Sequence, residues 1–335
     1  LSPTITGPAP HGTRRLGILL TSAGRRVELL RCFRRAGAEL GAEIEIIACD
    51  CEPRLSAACR EADAAFAVPT ATDADYAEAV LEICARRGVG LVVPTIDPEL
   101  LPLSLAAARF AGAGVRIAIS DPAVVEIARD KLVTAGFLAA HRIPAPRTLA
   151  AEAAAGAAGD WTWPALAKPR HGSSGRGIRI IHDESELAAH ATGEPFVVQE
   201  LLEGREFTVN LFFDRDGRFR CAVPHERLRI RAGEVEKGVT RHHRVLERVA
   251  RQIADVLPGA RGALCFQAMV GPGGEVKVFE INARFGGGYP LADAAGAPFA
   301  RWLIEEQLGL PSTAGDAWRE DVLMLRYDAA IFTRP

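Results

Sequence analysis

The sequence predicts an α/β chain: an N-terminal parallel doubly wound domain followed by a two-lobed α+β domain. Three observations carry this. Short apolar runs alternate with helical patterns over roughly the first 120 residues, the pattern of a parallel sheet covered on both faces. From Ala165 onward strand-like runs mostly follow one another through tight turns, as antiparallel hairpins do. A chain of 335 residues also exceeds one typical core. The expected division is 14–120, then a linker helix with a lid at 121–196, then 197–335.

Leu16–Leu20 is a continuous apolar run, as expected of a buried parallel strand. Thr21-Ser22-Ala23-Gly24 turns into a helical pattern from Val27 to Leu40. Strands follow at Ile44–Ala48, ending at Asp50, and at Ala65–Val68. A helix is expected over Asp73–Arg87, then strands at Leu91–Val93 and Arg116–Ile119. The first turn has one glycine, Gly24, and lacks the G-x-G-x-x-G fingerprint, which counts against a dinucleotide site. Arg25 and Arg26 at the helix start could meet an anion, but the favoured expectation is that they are solvated. The loop Pro94-Thr95-Ile96-Asp97-Pro98-Glu99 lies where open α/β sheets bind ligands, and it also suits a helix start with acidic first-turn residues.

Asp121-Pro122 should cap a helix running through Asp130-Lys131 to about His141, where Ile143-Pro144-Ala145-Pro146 breaks it. Residues 150–160 are Ala/Gly-rich and carry little information. Ala165-Leu166-Ala167-Lys168 is the next strand, and its lysine faces inward or toward a ligand. Pro169–Gly177 then combines three glycines, two serines and three basic residues before apolar Ile178–Ile181. It is not a Walker loop, since G-K-[S/T] is absent and no helix follows. A Gly-rich flap between strands suits polyphosphate instead.

Phe196–Val209 reads as strand, tight connection, strand. Asp214-Arg215-Asp216-Gly217 is a hairpin turn between Leu211–Phe213 and Arg218–Val223. In the charged run Glu226–Lys237, arginines alternate with Leu228 and Ile230. Arg227 and Arg231 should therefore share a face able to receive a carboxylate, with Lys237 and the Gly287 turn as weaker contributors. His242 and His243 start a helix through Leu257. Gly262–Val270 is a strand with Gln267 opposite in sense to Phe266 and Ala268. An amphipathic helix and a last strand, Val322–Tyr327, end the chain.

The most informative stretch is Phe279-Glu280-Ile281-Asn282-Ala283-Arg284-Phe285-Gly286-Gly287-Gly288. On the strand that begins at Val276, Glu280 and Asn282 leave the same face, and Arg284 continues it. A carboxylate, an amide oxygen and a guanidinium together suit a divalent cation and its phosphate, and the glycines let backbone N–H groups approach an anion.

Composition excludes several classes. The chain is 48% hydrophobic and 24% charged, with net charge −2, so bulk electrostatics call for neither a nucleic-acid nor a membrane partner. No apolar run is long enough to span a bilayer. Seven scattered cysteines without a C-x-x-C pair suggest reduced thiols and a cytoplasmic location. Residues 1–13 look like a loose tail and not a signal peptide.

With these pieces in order, the chain resembles the ATP-grasp superfamily over roughly residues 16–310. The motifs are Lys131 on the linker helix, Lys168 followed by the His171–Gly177 flap, the hinge Gln-Glu-Leu-Leu-Glu-Gly-Arg-Glu-Phe-Thr-Val from Gln199, and Gln267 with Glu280-Ile-Asn282-Ala-Arg284. It looks most like one synthetase half of a carbamoyl-phosphate synthase large chain, and its hinge and metal spacing are similar to those of D-alanine–D-alanine ligases. The first domain would then be the pre-ATP-grasp domain.

The resemblance implies ATP as cofactor with Mg2+ (or Mn2+). Lys131 and Lys168 would bind phosphates beneath the Ser173 and Gly175 flap. Glu200 and Leu202 would offer backbone groups to adenine, with Gln199 near its amino group, and Glu206 would hold the ribose. Gln267, Glu280 and Asn282 would hold metal, and Arg284, with Lys168, would assist phosphoryl transfer. Departures from the pattern are Gln267 where many relatives have an acid, Gln199 where D-alanine ligases have glutamate, and Cys265 where they have arginine. The expected activity is ATP-dependent joining of small-molecule carboxylate and amine substrates through an acyl phosphate, in a possible homodimer. A bicarbonate-activating enzyme and a non-catalytic ATP sensor are the alternatives.

Overall fold

A computed structural model describes residues 14–156, 161–172, 175–190 and 194–333. Ser173 lies outside the described residues. Five strands open the chain: β1 (Arg15–Leu20), β2 (Glu43–Asp50), β3 (Ala64–Ala67), β4 (Val89–Val93) and β5 (Arg116–Ile117). All pair in parallel, in the order β3-β2-β1-β4-β5. The apolar run of β1 is needed because both faces are covered: Ile18, Leu19 and Leu20 are fully buried. Ile18 and Leu20 pack toward α1 (Val27–Glu39), and Leu19 packs with residues of α3 (Tyr76–Arg87) and α4 (Asp97–Gly112). The short α2 (Ala57–Glu61) is capped by Ser56, whose Oγ accepts from Cys59 N at 3.2 Å.

Strand order reverses between β1 and β4, which leaves a crevice at their C-terminal ends. The loops after these strands are stitched together there. Thr95 Oγ1 donates to the carbonyls of Thr21 at 3.0 Å and Ser22 at 2.8 Å.

One expected helix is two. α5 (Pro122–Arg129) and α6 (Lys131–Ala140) are separated by Asp130, whose φ of −106° and ψ of 111° are extended. The cause is the Asp130 carboxylate, which accepts from Leu132 N and Val133 N and pairs with Arg170 Nη2 at 2.6 Å. A side chain that caps the following helix cannot also continue the preceding one.

The lid is a small antiparallel sheet of β6 (Thr148–Ala150), β7 (Ala165–Pro169), β8 (Arg179–Ile181) and β9 (Phe196–Glu200), ordered β6-β9-β7-β8, with α7 (Ala151–Gly156) and α8 (Glu184–Ala189). It has its own apolar cluster, which includes Trp161, Ala165, Ala167, Ile181, Leu187 and Val198.

The third sheet holds β10 (Arg205–Phe213), β11 (Phe219–Arg231), β12 (Glu234–Thr240), β13 (Gly262–Val270), β14 (Val276–Asn282) and β15 (Leu323–Leu325), ordered β14-β13-β10-β11-β12-β15 and antiparallel throughout. One face packs on α9 (Arg244–Val256), in a core continuous with that of the first sheet. On the other side, α10 (Tyr289–Ala294) and α11 (Phe299–Gln307) pack on α1. The first and third sheets thus share two cores, and the lid shares neither. Among the described residues no helix is long and apolar enough to cross a membrane. The seven cysteines are free, and all but Cys51 are buried.

Candidate active site

A cavity of about 400 Å3 lies between the lid and the third sheet. At its lid end Leu166, Ile178, Leu201, Leu202, Met269 and Phe279 form an apolar slot. Phe279 reaches the slot through a register shift: Gln267 pairs with Glu280 but Ala268 pairs with Val278, so Phe279 is the extra residue of a bulge. Phe279 and Glu280 can thus both line the cavity, against simple alternation. A slot of this kind suits a flat heteroaromatic base, with backbone groups of Glu200–Leu202 at its rim. The Gln199 side chain is buried and donates to Thr148 Oγ1 at 2.7 Å. The Glu200 carboxylate is held by Lys277 and accepts from Arg147 N at 3.2 Å.

Beyond the slot the lining is cationic. Lys131, at the first position of α6, donates to the carbonyl of Gly172 and so ties the linker helix to the flap. Lys168, on β7, is 4% exposed, and its Nζ lies 5.6 Å from the Phe279 ring centroid. Burial pushes its pKa down to about 8, Glu280 opposes this, and Lys131 adds to it. Gly172, Gly175 and Arg176 also line this part. Lysines held out of water beside a glycine-rich flap form a receptacle for phosphate charge.

Facing Lys168 across the cavity are Glu280, Gln267 and Asn282. Gln267 and Glu280 are direct cross-strand partners, and Asn282 is opposite Cys265. No cluster of three His, Cys, Asp or Glu exists among the described residues. The donor set, one carboxylate and two amide groups, fits a hard cation that completes its shell with water and phosphate oxygens, as Mg2+ does. It does not fit a metal that needs an all-protein cage.

Arg284 closes this wall and is held from the first domain. Its Nε donates to Asp97 Oδ1 at 3.1 Å and its Nη2 to Asp97 Oδ2 at 2.7 Å, with a further bond from Nη2 to Asn282 Oδ1 at 3.2 Å. Asp97 opens α4, so the loop serves as helix start and as site component at once. Fully buried Glu99 fixes that loop: its Oε1 accepts from Ile96 N at 3.0 Å and from Thr95 N, and its Oε2 accepts from Ser22 Oγ at 2.8 Å and from Tyr76 Oη.

The carboxylate-binding face expected on β11 is only partly formed. Arg227 lines the cavity, pairs with Glu206 and donates from Nη2 to the Gly233 carbonyl at 2.7 Å. Arg231 does not line it; it pairs with Asp328 at 2.7 Å and Glu236 at 3.0 Å on the outside. Lys237 is also absent from the lining, whereas Gly287 is present. The reason is two register shifts, between Arg227 and Arg229 and between Arg229 and Ile230, which break the alternation and bring Ile230 into the cavity. Glu206 is raised by burial, against the opposing effect of Arg227, and is engaged by an arginine here, where a ribose contact was expected.

Arg26, expected to be solvated, is largely buried, with a side chain 18% exposed, while Arg25 is exposed. Arg26 Nη2 donates to the Thr95 carbonyl at 3.3 Å and faces Glu234 across 3.6 Å. Arg326, from the segment after β15, donates to the Gly287 carbonyl. Glu234 and Arg326 were missed as site residues and had no signal, whereas Asp97 had its place at a strand's C-terminal end and Arg26 its place at a helix start, where it could meet an anion.

Comparison with known proteins agrees with this geometry. Residues 18–118 match the family described as PylC-like, N-terminal domain, and residues 128–288 match the family described as ATP-grasp domain. The carbamoyl phosphate synthase large chain of Micrococcus luteus is 28% identical over 273 residues, which are 75% of this chain and 24% of that one. The chain thus spans about a quarter of that relative's length. Among solved structures, the biotin carboxylase domain dimer of Hydrogenobacter thermophilus 2-oxoglutarate carboxylase, in complex with MgADP, ADP and bicarbonate, superposes with a TM-score of 0.72 at 19% identity, covering 89% of this chain and 71% of that one. N5-carboxyaminoimidazole ribonucleotide synthetase from Thermotoga maritima gives 0.66 at 20% identity, covering 90% and 78%. These two likenesses establish the fold.

Proposed function

Since this chain carries an ATP-grasp domain behind a PylC-like N-terminal domain, we propose that it is an ATP-dependent ligase that activates a substrate carboxylate as an acyl phosphate, releases ADP and joins the acyl group to an amine. The observation that carries this reading is the cavity itself. It brings an apolar slot, two lysines, the Gln267, Glu280 and Asn282 side chains and Arg284 into one lining.

In this reading the backbone of Glu200–Leu202 binds the adenine edge and Phe279 stacks on its face. Lys168 and Lys131 orient and neutralise the phosphates, with Gly172, Gly175 and Arg176 beside them. Gln267, Glu280 and Asn282 would hold Mg2+, which when bound neutralises phosphate charge during transfer. Arg284, fixed in direction by Asp97, holds the incoming carboxylate in line and then the charge that develops on it. A carboxylate oxygen attacks the γ-phosphorus, the bond to the β–γ bridging oxygen breaks, and ADP departs. The amine then attacks the acyl carbon, phosphate leaves and the amine's proton passes to solvent. Lid closure excludes water that would otherwise hydrolyse the acyl phosphate.

The test is ADP release from Mg-ATP with pools of carboxylic acids and amines, wild type against Glu280→Ala. Acid- and amine-dependent ADP production that disappears in Glu280→Ala supports the ligase. Stimulation by bicarbonate alone would instead favour a bicarbonate-activating enzyme, the reading suggested by the bicarbonate named in the Hydrogenobacter complex. Nucleotide binding with no stimulated turnover across the pools would favour a sensor.

A further inference from the structure

Glu234 is an acidic wall residue of the cavity that the proposed reaction does not use, and unlike Glu206 it has no close arginine partner. It opens β12, lines the cavity beside Gly286–Gly288, and is 27% exposed. Its carboxylate lies against Gly287 so closely that a Cβ at that position would stand 1.4 Å from Glu234 Oε2. Behind it, outside the cavity lining, are Arg26 and Arg326. Arg26 reaches Glu234 only at 3.6 Å, beyond hydrogen-bond range, and Arg326 makes no ion pair among the described residues. Arg284, on the same wall, is already engaged in both directions by Asp97. Burial lowers the pKa of both Arg26 and Arg326, with repulsion from Arg284 and Arg326 adding to it at Arg26 and from Arg25 and Arg231 at Arg326, and Glu234 opposes this in each. Two poorly compensated guanidiniums therefore share one loosely held internal carboxylate that stands between them and the substrate space.

Resting on the ligase reading, we propose that Glu234 is a displaceable internal counterion, and that the acid substrate carries a second anionic group which takes its place on Arg26 and Arg326. The reacting carboxylate lies with Arg284 and the metal set, and the second anion, a carboxylate or a phosphate, lies on the far side of Gly287. Glu234 as a receptor for a substrate ammonium is disfavoured, because the flanking arginines would repel that cation. A basic subsite opened behind Glu234 also selects against simple monocarboxylates, since an unfilled arginine pair makes no contact with them.

The experiment is calorimetric titration of protein saturated with Mg2+ and a non-hydrolysable ATP analogue. Succinate and glutarate are compared with butyrate and valerate, and 3-phosphonopropionate reports a phosphate-type second anion. We expect the doubly anionic acids to bind about tenfold more tightly than monocarboxylates of equal length. Glu234→Gln should tighten them a further several-fold, and Arg26→Met or Arg326→Met should erase the difference. Preference for 3-phosphonopropionate over both dicarboxylates identifies the second anion as phosphate. Equal affinity for mono- and dianionic acids, or weaker dianion binding in Glu234→Gln, overturns the proposal. Failure of the ATP analogue to bind wild type would instead overturn the ligase reading, and analogue affinity in each variant reports that it is folded.

Discussion

Lys168→Met should make the nucleotide-free protein more stable and at the same time cripple nucleotide binding. The lysine is 4% exposed, and its pKa falls from the ordinary 10.5 to about 8 chiefly because burial strips water from the ammonium. That drop corresponds to roughly 3 kcal/mol held against the folded, charged state. Methionine fills similar space with no charge to desolvate. For a chain of this length, relief of roughly 3 kcal/mol raises the melting temperature by about 4 °C at pH 7. The gap closes with pH in a defined window. Below pH 8 the lysine is charged in both folded and unfolded chains and the penalty is complete. Between about pH 8 and 10.5 the folded protein releases the proton first, so wild-type stability recovers toward that of the variant. Nucleotide binding should move the other way: loss of a charge-assisted phosphate contact weakens affinity about 10- to 100-fold at pH 7. Wild-type affinity should also fall as pH rises past 8, while the variant's stays flat. Melting curves at pH 7 and 9.5 and nucleotide titrations at both values are the assays. A Lys168→Met protein that is less stable than wild type at pH 7, a stability gap independent of pH, or unaltered nucleotide affinity would refute the reasoning.

Two further outcomes follow from the same wall. Asp97→Asn keeps the shape of the Arg284 clamp but removes its charge. It should lower kcat by about 100-fold, on the basis of roughly 2–3 kcal/mol for a part-buried charged contact, while the KM for ATP changes little; wild-type turnover would show that Arg284 needs no anchor. Gln267→Glu places a second carboxylate directly across from Glu280. Without metal this should cost about 0.5 kcal/mol through like-charge repulsion, and with Mg2+ the cost should become a gain, read as a Mg2+-dependent rise in melting temperature larger than wild type's.

What could be read from the chain follows from how local each feature is. The parallel first sheet was legible because its strands bury both faces and so appear as unbroken apolar runs. Glu280 and Asn282 were legible as neighbours because a strand has period two, and both line the cavity. The same rule misplaced Arg231, since two register shifts within five residues of β11 cannot be seen in side-chain alternation. The break at Asp130 was hidden because Arg170, which pairs with the capping carboxylate, lies forty residues on, beyond β6 and β7. Arg26, Glu234 and Arg326 meet only after the first and third sheets have docked, and each looks like an ordinary surface charge in its own neighbourhood.

The separate apolar cluster of the lid has a consequence for how the molecule breathes. The first and third sheets draw on two shared cores, so neither can melt without exposing the other. Among the described residues the lid has a cluster of only seven buried residues to itself, so it forms a cooperative unit whose opening free energy lies well below that of the whole. Its backbone amides should trade deuterium with solvent early, as a block, while β1 and β10 stay protected. Occupancy of the slot by nucleotide, which bridges lid and sheet, should draw that block toward the slow class. In the ligase reading, the part of the chain that guards the reaction is thus the part whose persistence depends on the ligand it guards.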